Sequence, residues 1–296
     1  MISVIIPTYN RAKTIRESID SVLAQTYHEI EVIVVDDCSL DNTEQIVKGI
    51  DDARVRYIRL DLNQGACVAR NEGIKNAVGE YIAFQDSDDI WRPEKLTVQL
   101  DSMKKTGADV CFHKLHRKLP DGKEISSFPD INESKFMTHN EMCNRTCIST
   151  QTIMGRRQVF EEHKFDPLVR KTQDYDWGIR ASRNYRCYYL NEILAEQRFQ
   201  NDSISAKGLQ VVKETREYFL EKYKEEFKIN RSFEVYQLQV IAKSKALLGE
   251  NSTEEFERIY EIQRRKSDFL KVVLSRLGLM PFMYRLKGER NSSLPK

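Results

Sequence analysis

No stretch of this 296-residue chain stays apolar for the roughly 20 residues that a membrane-crossing helix needs. The apolar run at residues 2–6 flows straight into Pro7 with no basic region ahead of it, so no secretory signal is expected. A strong charge of one sign is also lacking. The formal net charge is +2, which gives no global field that would favour nucleic acid as a partner. Of six cysteines only Cys143 and Cys147 lie close together, and no second pair or histidine cluster completes a zinc site. Reduced thiols in a cytoplasmic protein are the expectation. Both common glycine-rich phosphate signatures are missing: there is no G-x-G-x-x-G after the first apolar run and no G-x-x-x-x-G-K-[ST] anywhere. Internal repeats and low-complexity tracts are absent too.

With 40% hydrophobic and 31% charged residues the chain can bury a full core, as one large domain with an appendage. Its first half alternates short apolar runs, predicted as strands over 2–6, 30–35, 55–60, 81–85 and 109–113, with helical patterns over 12–24, 42–50, 66–77 and 93–105. Ile15, Ile19, Val22 and Leu23 show the helical spacing. Strand–helix–strand alternation predicts an α/β fold, a Rossmann-like, mainly parallel sheet covered by helices on both faces, with ligands at the carboxyl ends of the strands. The middle, 115–172, is less regular. Leu119-Pro120-Asp121-Gly122 reads as a hairpin tip, and Thr138 with Glu141 as a capping box. A helix is predicted over 174–183 and strands over 185–190 and 193–199. From residue 207 the pattern is helical, with Ser252 and Glu255 opening a helix that continues to Leu277.

Acidic clusters follow two of the strands: Asp36-Asp37-Cys38-Ser39 after the second, Asp86-Ser87-Asp88-Asp89 after the fourth. Carboxylates at successive strand ends converge on one edge of a parallel sheet. Two convergent oxygen donors, Asp86 and Asp88, suit Mg²⁺ or Mn²⁺, whose shell a diphosphate would complete. Asp36, Asp41 and Asp89 can equally be explained as helix caps or Asx turns, and for Asp41 and Asp89 that is the preferred reading. Three acids in four residues repel one another unless a cation sits among them. In the loop after the first strand, Tyr9 offers a ring face to a base and Asn10 a cap for the next helix.

Ser3-Val4-Ile5-Ile6-Pro7-Thr8-Tyr9-Asn10-Arg11, Asp36-Asp37-Cys38-Ser39, Asn63-Gln64-Gly65 through Arg70-Asn71, and Gly79-Glu80-Tyr81-Ile82-Ala83-Phe84 resemble, in order and spacing, family 2 glycosyltransferases of GT-A fold. Asp86-Ser87-Asp88 matches that family's D-x-D motif, and Trp91-Arg92-Pro93 follows it. The resemblance spans roughly residues 1 to 200. It implies an inverting, metal-dependent transfer of a sugar from a nucleotide-sugar, a UDP-sugar, to an acceptor hydroxyl, in polysaccharide or envelope glycan assembly. It divides the chain into a catalytic domain over 1–205 and a helical extension over 206–296. Within the first, 1–113 would bind the nucleotide-sugar and 114–205 face the acceptor. It further implies that Pro7 and Tyr9 line the base pocket, that Asp37 reads a uracil edge, that Asp86 lies near the ribose and that Asp88 holds the metal. Arg70 suits either the pyrophosphate or a neighbouring acid. The family usually has Glu-Asp where this chain has Gln173-Asp174, and the retained Asp174 is implied as the base. It could also serve as a helix cap, and a helix N-terminus would lower its pKa. Asp176 is the competing carboxylate. Arg198 suits either a diphosphate contact or a surface position.

Past residue 260, nine cations against three acids leave a net +6, and Leu270, Val273, Leu274 and Leu277 recur on one helical face. Basic, amphipathic and aromatic together, this tail reads as an interfacial helix at an anionic leaflet. That predicts a cytoplasmic protein associated peripherally with the inner face of the cell membrane. A helix packed on the catalytic domain is the other reading. The acceptor is expected to be a saccharide or a lipid-linked saccharide. Two other functions suit the strand-end acids: a sugar nucleotidyltransferase, or an inactive sugar-binding assembly partner.

Overall fold

The computed structural model describes residues 1–118, 124–198 and 208–290. The turn expected at 119–122, the segment 201–205 and the domain boundary expected at 205 lie outside them. In chain order the elements are β1 (Ile2–Thr8), α1 (Ile15–Leu23), β2 (Ile30–Asp36), α2 (Thr43–Lys48), β3 (Val55–Arg59), α3 (Ala66–Asn76), β4 (Tyr81–Phe84), β5 (Ile90–Trp91), α4 (Lys95–Thr106), β6 (Val110–Lys118), β7 (Glu124–Phe128), β8 (Lys135–Met137), α5 (His139–Asn144), β9 (Met154–Arg156), α6 (Arg157–Glu162), α7 (Gln173–Ala181) and β10 (Cys187–Arg198). The helices α8 (Leu209–Lys222), α9 (Lys224–Ile229), α10 (Arg231–Leu248), α11 (Thr253–Gln263), α12 (Lys266–Arg276) and α13 (Met280–Arg290) follow.

The described residues form two compact units. The first holds Met1–Met142, Thr146–Leu168 and 172–198; the second holds Cys143–Arg145, Val169–Lys171 and 208–290. One ten-stranded sheet runs β3-β2-β1-β4-β9-β6-β10-β5, with β7 on β6 and β8 on β10. The β1–β2, β2–β3, β1–β4 and β6–β10 pairs are parallel. β9 is inserted antiparallel between β4 and β6.

The strands were legible as unbroken apolar runs because both faces of the sheet are buried. Side chains alternate between two cores. Ile5, Ile33, Val35, Ile82 and Phe84 pack on one face with Ala69 and Ile74 of α3 and Trp177 of α7. Val4, Ile6, Val32 and Val34 pack on the other with Ile15, Ile19 and Val22 of α1 and Leu96 and Leu100 of α4. At about 25 cal/mol per Å² of apolar area, these two layers carry most of the drive to fold. α3 approaches β1 so closely that a Cβ at Gly73 would lie 2.4 Å from the Ile5 side chain. All six cysteines are free, and burial pushes the thiols of Cys67, Cys111 and Cys187 up to about 12.

Several expectations need correction. The strands predicted over 185–190 and 193–199 are one strand, β10, with register shifts between Leu190 and Ala195 where it bends. The helix predicted from Ser252 to Leu277 breaks at Arg264, which adopts φ 55°, into α11 and α12. Ser252 makes no cap; its hydroxyl meets that of Ser275 at 3.2 Å. Thr138 and Glu141 do form a reciprocal box, with Glu141 accepting from the Thr138 amide at 2.9 Å and Thr138 Oγ1 accepting from the Glu141 amide at 3.2 Å.

Candidate active site

The parallel strands β1, β2 and β4 end side by side, with Thr8 opposite Asp36 and Ile5 opposite Phe84. Their following loops therefore share one edge. Pro7 is the buried last-but-one residue of β1, and Tyr9 just beyond it leaves its ring 39% exposed, open to a stacking partner. Asn10 does not cap α1, whose cap residue is Thr14. It sits at φ 51°, donates its amide to Ser39 Oγ at 2.8 Å and accepts from the Leu40 amide at 2.8 Å. The β1 and β2 loops are thus tied to one another.

The adjacent carboxylates on the β2 loop do different work. Asp36 is fully buried; it accepts from the Ser39 amide at 2.8 Å and from the Tyr57 hydroxyl at 2.5 Å, with Arg59 at 3.6 Å. Asp37 turns the other way and accepts from the amides of Gln64 at 2.8 Å and Gly65 at 2.7 Å. Gly65, at φ 91°, is the residue before α3, so Asp37 fixes the entry of that helix. Burial raises the Asp37 pKa although the two amides oppose it.

On α3, Arg70 is buried and reaches two partners across the site: Gln173 Oε1 at 2.7 Å and Asp86 Oδ1 at 3.2 Å. It lies over the Phe165 ring, 5.5 Å from the centroid. Its Nε is buried without a hydrogen-bond partner among the described residues. Asp88 faces Arg11 Nε at 3.5 Å. The cations among the three clustered acids are therefore the protein's own arginines. Asp89 points inward, accepting from the Arg198 amide at 2.8 Å and from the Gln151 side-chain amide. Burial first, then Asp88 and Asp86, push its pKa well up. Asp89 is thus neither the helix cap nor the Asx turn expected of it; it ties the end of β10 to the loop before β9. Asp41 does make its Asx turn, to the Thr43 amide at 3.0 Å. The Arg198 guanidinium points to the surface and pairs with Glu17 at 2.7 Å.

At the start of α7 the residue before the helix is Thr172, with φ 58° and ψ 42°, a conformation that a β-branched residue rarely takes. Such strain costs about 1–3 kcal/mol and gathers at functional sites. Two residues later Asp174 occupies the second helical position, so it is not the cap; its carboxylate accepts from the Tyr175 amide at 2.8 Å. Desolvation pushes its pKa up to about 6; the Tyr175 amide and Arg70 oppose this, and Asp86 adds to it. Burial thus outweighs the lowering expected from a helix N-terminus. Asp176 is on another face, wholly buried, and holds Arg180 Nη2 at 2.9 Å. It is occupied structurally, whereas Asp174 keeps a partly open face and a carboxyl tuned toward neutrality.

Arg117 escaped the reading of the sequence. It lies on β6, beyond the end predicted for that strand, and donates to Gln197 Oε1 at 3.1 Å on neighbouring β10. Burial lowers its pKa while Asp174 and Asp89 raise it, so it is a second cation, beside Arg70, within electrostatic reach of Asp174. Only the strand pairing of Arg117 with Gln197 places it there.

A mainly parallel sheet with carboxylates at its strand ends, and helices on both faces, is the architecture of the GT-A fold. Residues 3–164 match the glycosyl transferase family 2 model. The Bacillus subtilis protein TuaG, named for teichuronic acid biosynthesis, is 35% identical over 218 residues, 73% of this chain and 85% of that one. Escherichia coli WfgD, a UDP-Glc:alpha-D-GlcNAc-diphosphoundecaprenol beta-1,3-glucosyltransferase, is 32% identical over 214 residues, covering 72% and 83%. The fold is shared with Staphylococcus aureus TarS residues 1–349, solved in complex with UDP, at TM-score 0.66, 22% identity and coverage of 97% and 91%. The chain belongs to glycosyl transferase family 2.

Proposed function

We propose that this family 2 glycosyltransferase moves a sugar from a UDP-sugar to an acceptor hydroxyl with inversion, Asp174 taking the acceptor proton. The observation that carries the reading is the Asp174 carboxyl, held at about 6 beside the Arg70–Asp86 pair at the carboxyl edge of the sheet. A base of that pKa is ionised at neutral pH yet basic enough to assist a hydroxyl. Pro7 and Tyr9 would frame the base of the nucleotide and Asp37 its edge. UDP as the nucleotide is supported by WfgD's donor and by the TarS complex. WfgD's polyprenol-linked acceptor supports a lipid-linked saccharide here, in glycan assembly at the inner face of the membrane.

Asp86 and Asp88 fit a divalent cation. Both offer partly exposed oxygens, and their arginine partners stand at 3.2 and 3.5 Å, looser than tight charge-assisted bonds. Mg²⁺ or Mn²⁺ bound there would neutralise the departing diphosphate. Arg70 and Arg11 keep the two carboxylates apart and in place. Arg117 lies within electrostatic reach of Asp174 and favours its ionised form.

The test is incubation with UDP-sugars and a polyprenol-diphosphate saccharide, scoring free UDP and the anomer of the product. UDP release with the anomer opposite to the donor's is expected. A retained anomer rejects the single displacement, conversion of the UDP-sugar to UTP and sugar 1-phosphate on addition of pyrophosphate would indicate nucleotidyl transfer, and donor binding without turnover would indicate an inactive partner.

A further inference from the structure

The helix α12 is inside out. Its polar residues face the core of the second unit: Asp268 is buried and held by Lys271 at 2.9 Å, and Ser275 meets Ser252 at 3.2 Å and Thr253 at 3.1 Å. Val272 alone among its apolar residues is fully buried in that core. At 100° per residue, Lys266, Phe269, Leu270 and Leu277 fall on the half of the helix opposite Asp268. There Phe269 is 53% exposed, Leu270 57% and Leu277 65%. The chain then turns through Gly278 at φ 68° and adds Leu279 at 45% and Phe282 at 63% exposure. Exposed Arg264, Arg265, Lys266, Arg276 and Arg285 border this apolar ridge. Arg276 is paired with Glu257, and the only acid within α12 is the inward-facing Asp268. This differs from the face expected from sequence, since Leu274 packs inward.

We infer that this ridge, Phe269–Leu270 and Leu277–Leu279–Phe282 with its border of cations, is a docking surface for an anionic lipid bilayer. Isolated exposed apolar residues need no explanation, but five between Phe269 and Phe282, from α12 through the turn into α13, do. The cations select the occupant. Against a second copy related by two-fold symmetry, the cationic border would meet its own like charges, and protein interface cores are depleted of charge. Against an anionic leaflet the same border is attractive while the leucines and phenylalanines enter the headgroup–acyl boundary. The inference rests on the proposed function only in giving the docking a purpose, presentation of a lipid-linked acceptor.

The test is co-sedimentation of the full chain with vesicles of equimolar phosphatidylcholine and phosphatidylglycerol, and with phosphatidylcholine alone, at low salt. Binding to the anionic vesicles is expected to exceed binding to the neutral ones by at least about tenfold. The triple variant Phe269→Ser, Leu277→Ser, Phe282→Ser and the double variant Arg265→Glu, Lys266→Glu each lower it by at least about tenfold. Both alter only exposed side chains, so unchanged melting is expected of both. Wild-type indifference to anionic vesicles overturns the inference, and so does unchanged binding by the two variants. A wild-type dimer in light scattering that the triple variant disperses would make the ridge a self-interface and overturn it too. Transfer to a detergent-dispersed acceptor by the triple variant, beside vesicle binding by Asp174→Asn, keeps failure here distinct from failure of the enzymatic reading.

Discussion

Arg70 donates to the side-chain oxygen of Gln173 at 2.7 Å, and through its other terminal nitrogen it reaches Asp86 at 3.2 Å. One guanidinium thus connects the Asp86 carboxylate to the residue directly before Asp174, the proposed base. The resemblance to family 2 implies Glu where this chain has Gln173. With the amide, Arg70 is balanced by one carboxylate, Asp86, rather than two.

Gln173→Glu should therefore weaken UDP binding measured without metal by roughly tenfold, since it adds a negative charge beside the site at low local dielectric. The same added charge raises the Asp174 pKa further, so the acidic limb of the transfer rate should move to higher pH. Calorimetry of UDP binding in EDTA, beside a pH–rate profile, checks both. An unmoved acidic limb would show that residue 173 does not communicate with the base.

Metal removal tests the Asp86–Asp88 pair. Chelation, or Asp88→Asn, should lower UDP affinity by at least about a hundredfold, the scale of several kcal/mol of charge neutralisation. Titration calorimetry with and without Mn²⁺ measures it. Full affinity in EDTA would leave Arg11 and Arg70 as the whole phosphate-binding apparatus.

Asp176→Asn should act on stability instead of chemistry. Its carboxylate is buried and paired with Arg180 at 2.9 Å, so neutralising it leaves a largely buried cation without its counter-charge. About 3 kcal/mol of stability is expected to go. Urea denaturation measures this, while turnover per folded molecule remains near the wild-type value.

The strands and the acidic loops were legible because both depend on local pattern. Apolar runs such as 30–35 are buried on both faces, and an aspartate after a parallel strand lands at the carboxyl edge whatever else the chain does. What was hidden is whatever needs two distant segments at once. Arg70 and Gln173 are 103 residues apart, and nothing near either announces the other. β9 is three residues long and enters the sheet only because Met154 and Gly155 find the edges of both β4 and β6. The break at Arg264 lacks the glycine or proline that usually marks one. Asn10 and Asp89 have the side chains of caps, but tertiary partners took their hydrogen bonds first.

Asp174→Asn separates chemistry from binding and from stability. Asn keeps the oxygen that accepts from the Tyr175 amide, so the start of α7 should hold. It cannot take a proton, so transfer should fall by at least about a hundredfold, within the range of a lost general base. UDP affinity should stay near normal, because Asp37, Asp86 and Asp88 are untouched. In the wild type, the rate should rise with pH through about 6 and level off above it, since only the ionised carboxylate accepts the proton. Stability runs the other way. The folded-state pKa lies above the ordinary carboxylate value of 3.8, so the folded chain holds the proton more tightly, and ionised Asp174 destabilises the fold increasingly from pH 4 to 6. Above that window the cost is at most about 3 kcal/mol. Asp174→Asn should therefore melt higher than the wild type at pH 8 and no higher at pH 4. A variant that melts lower at both, or that loses UDP affinity in proportion to rate, would show Asp174 to be structural or donor-binding rather than the base.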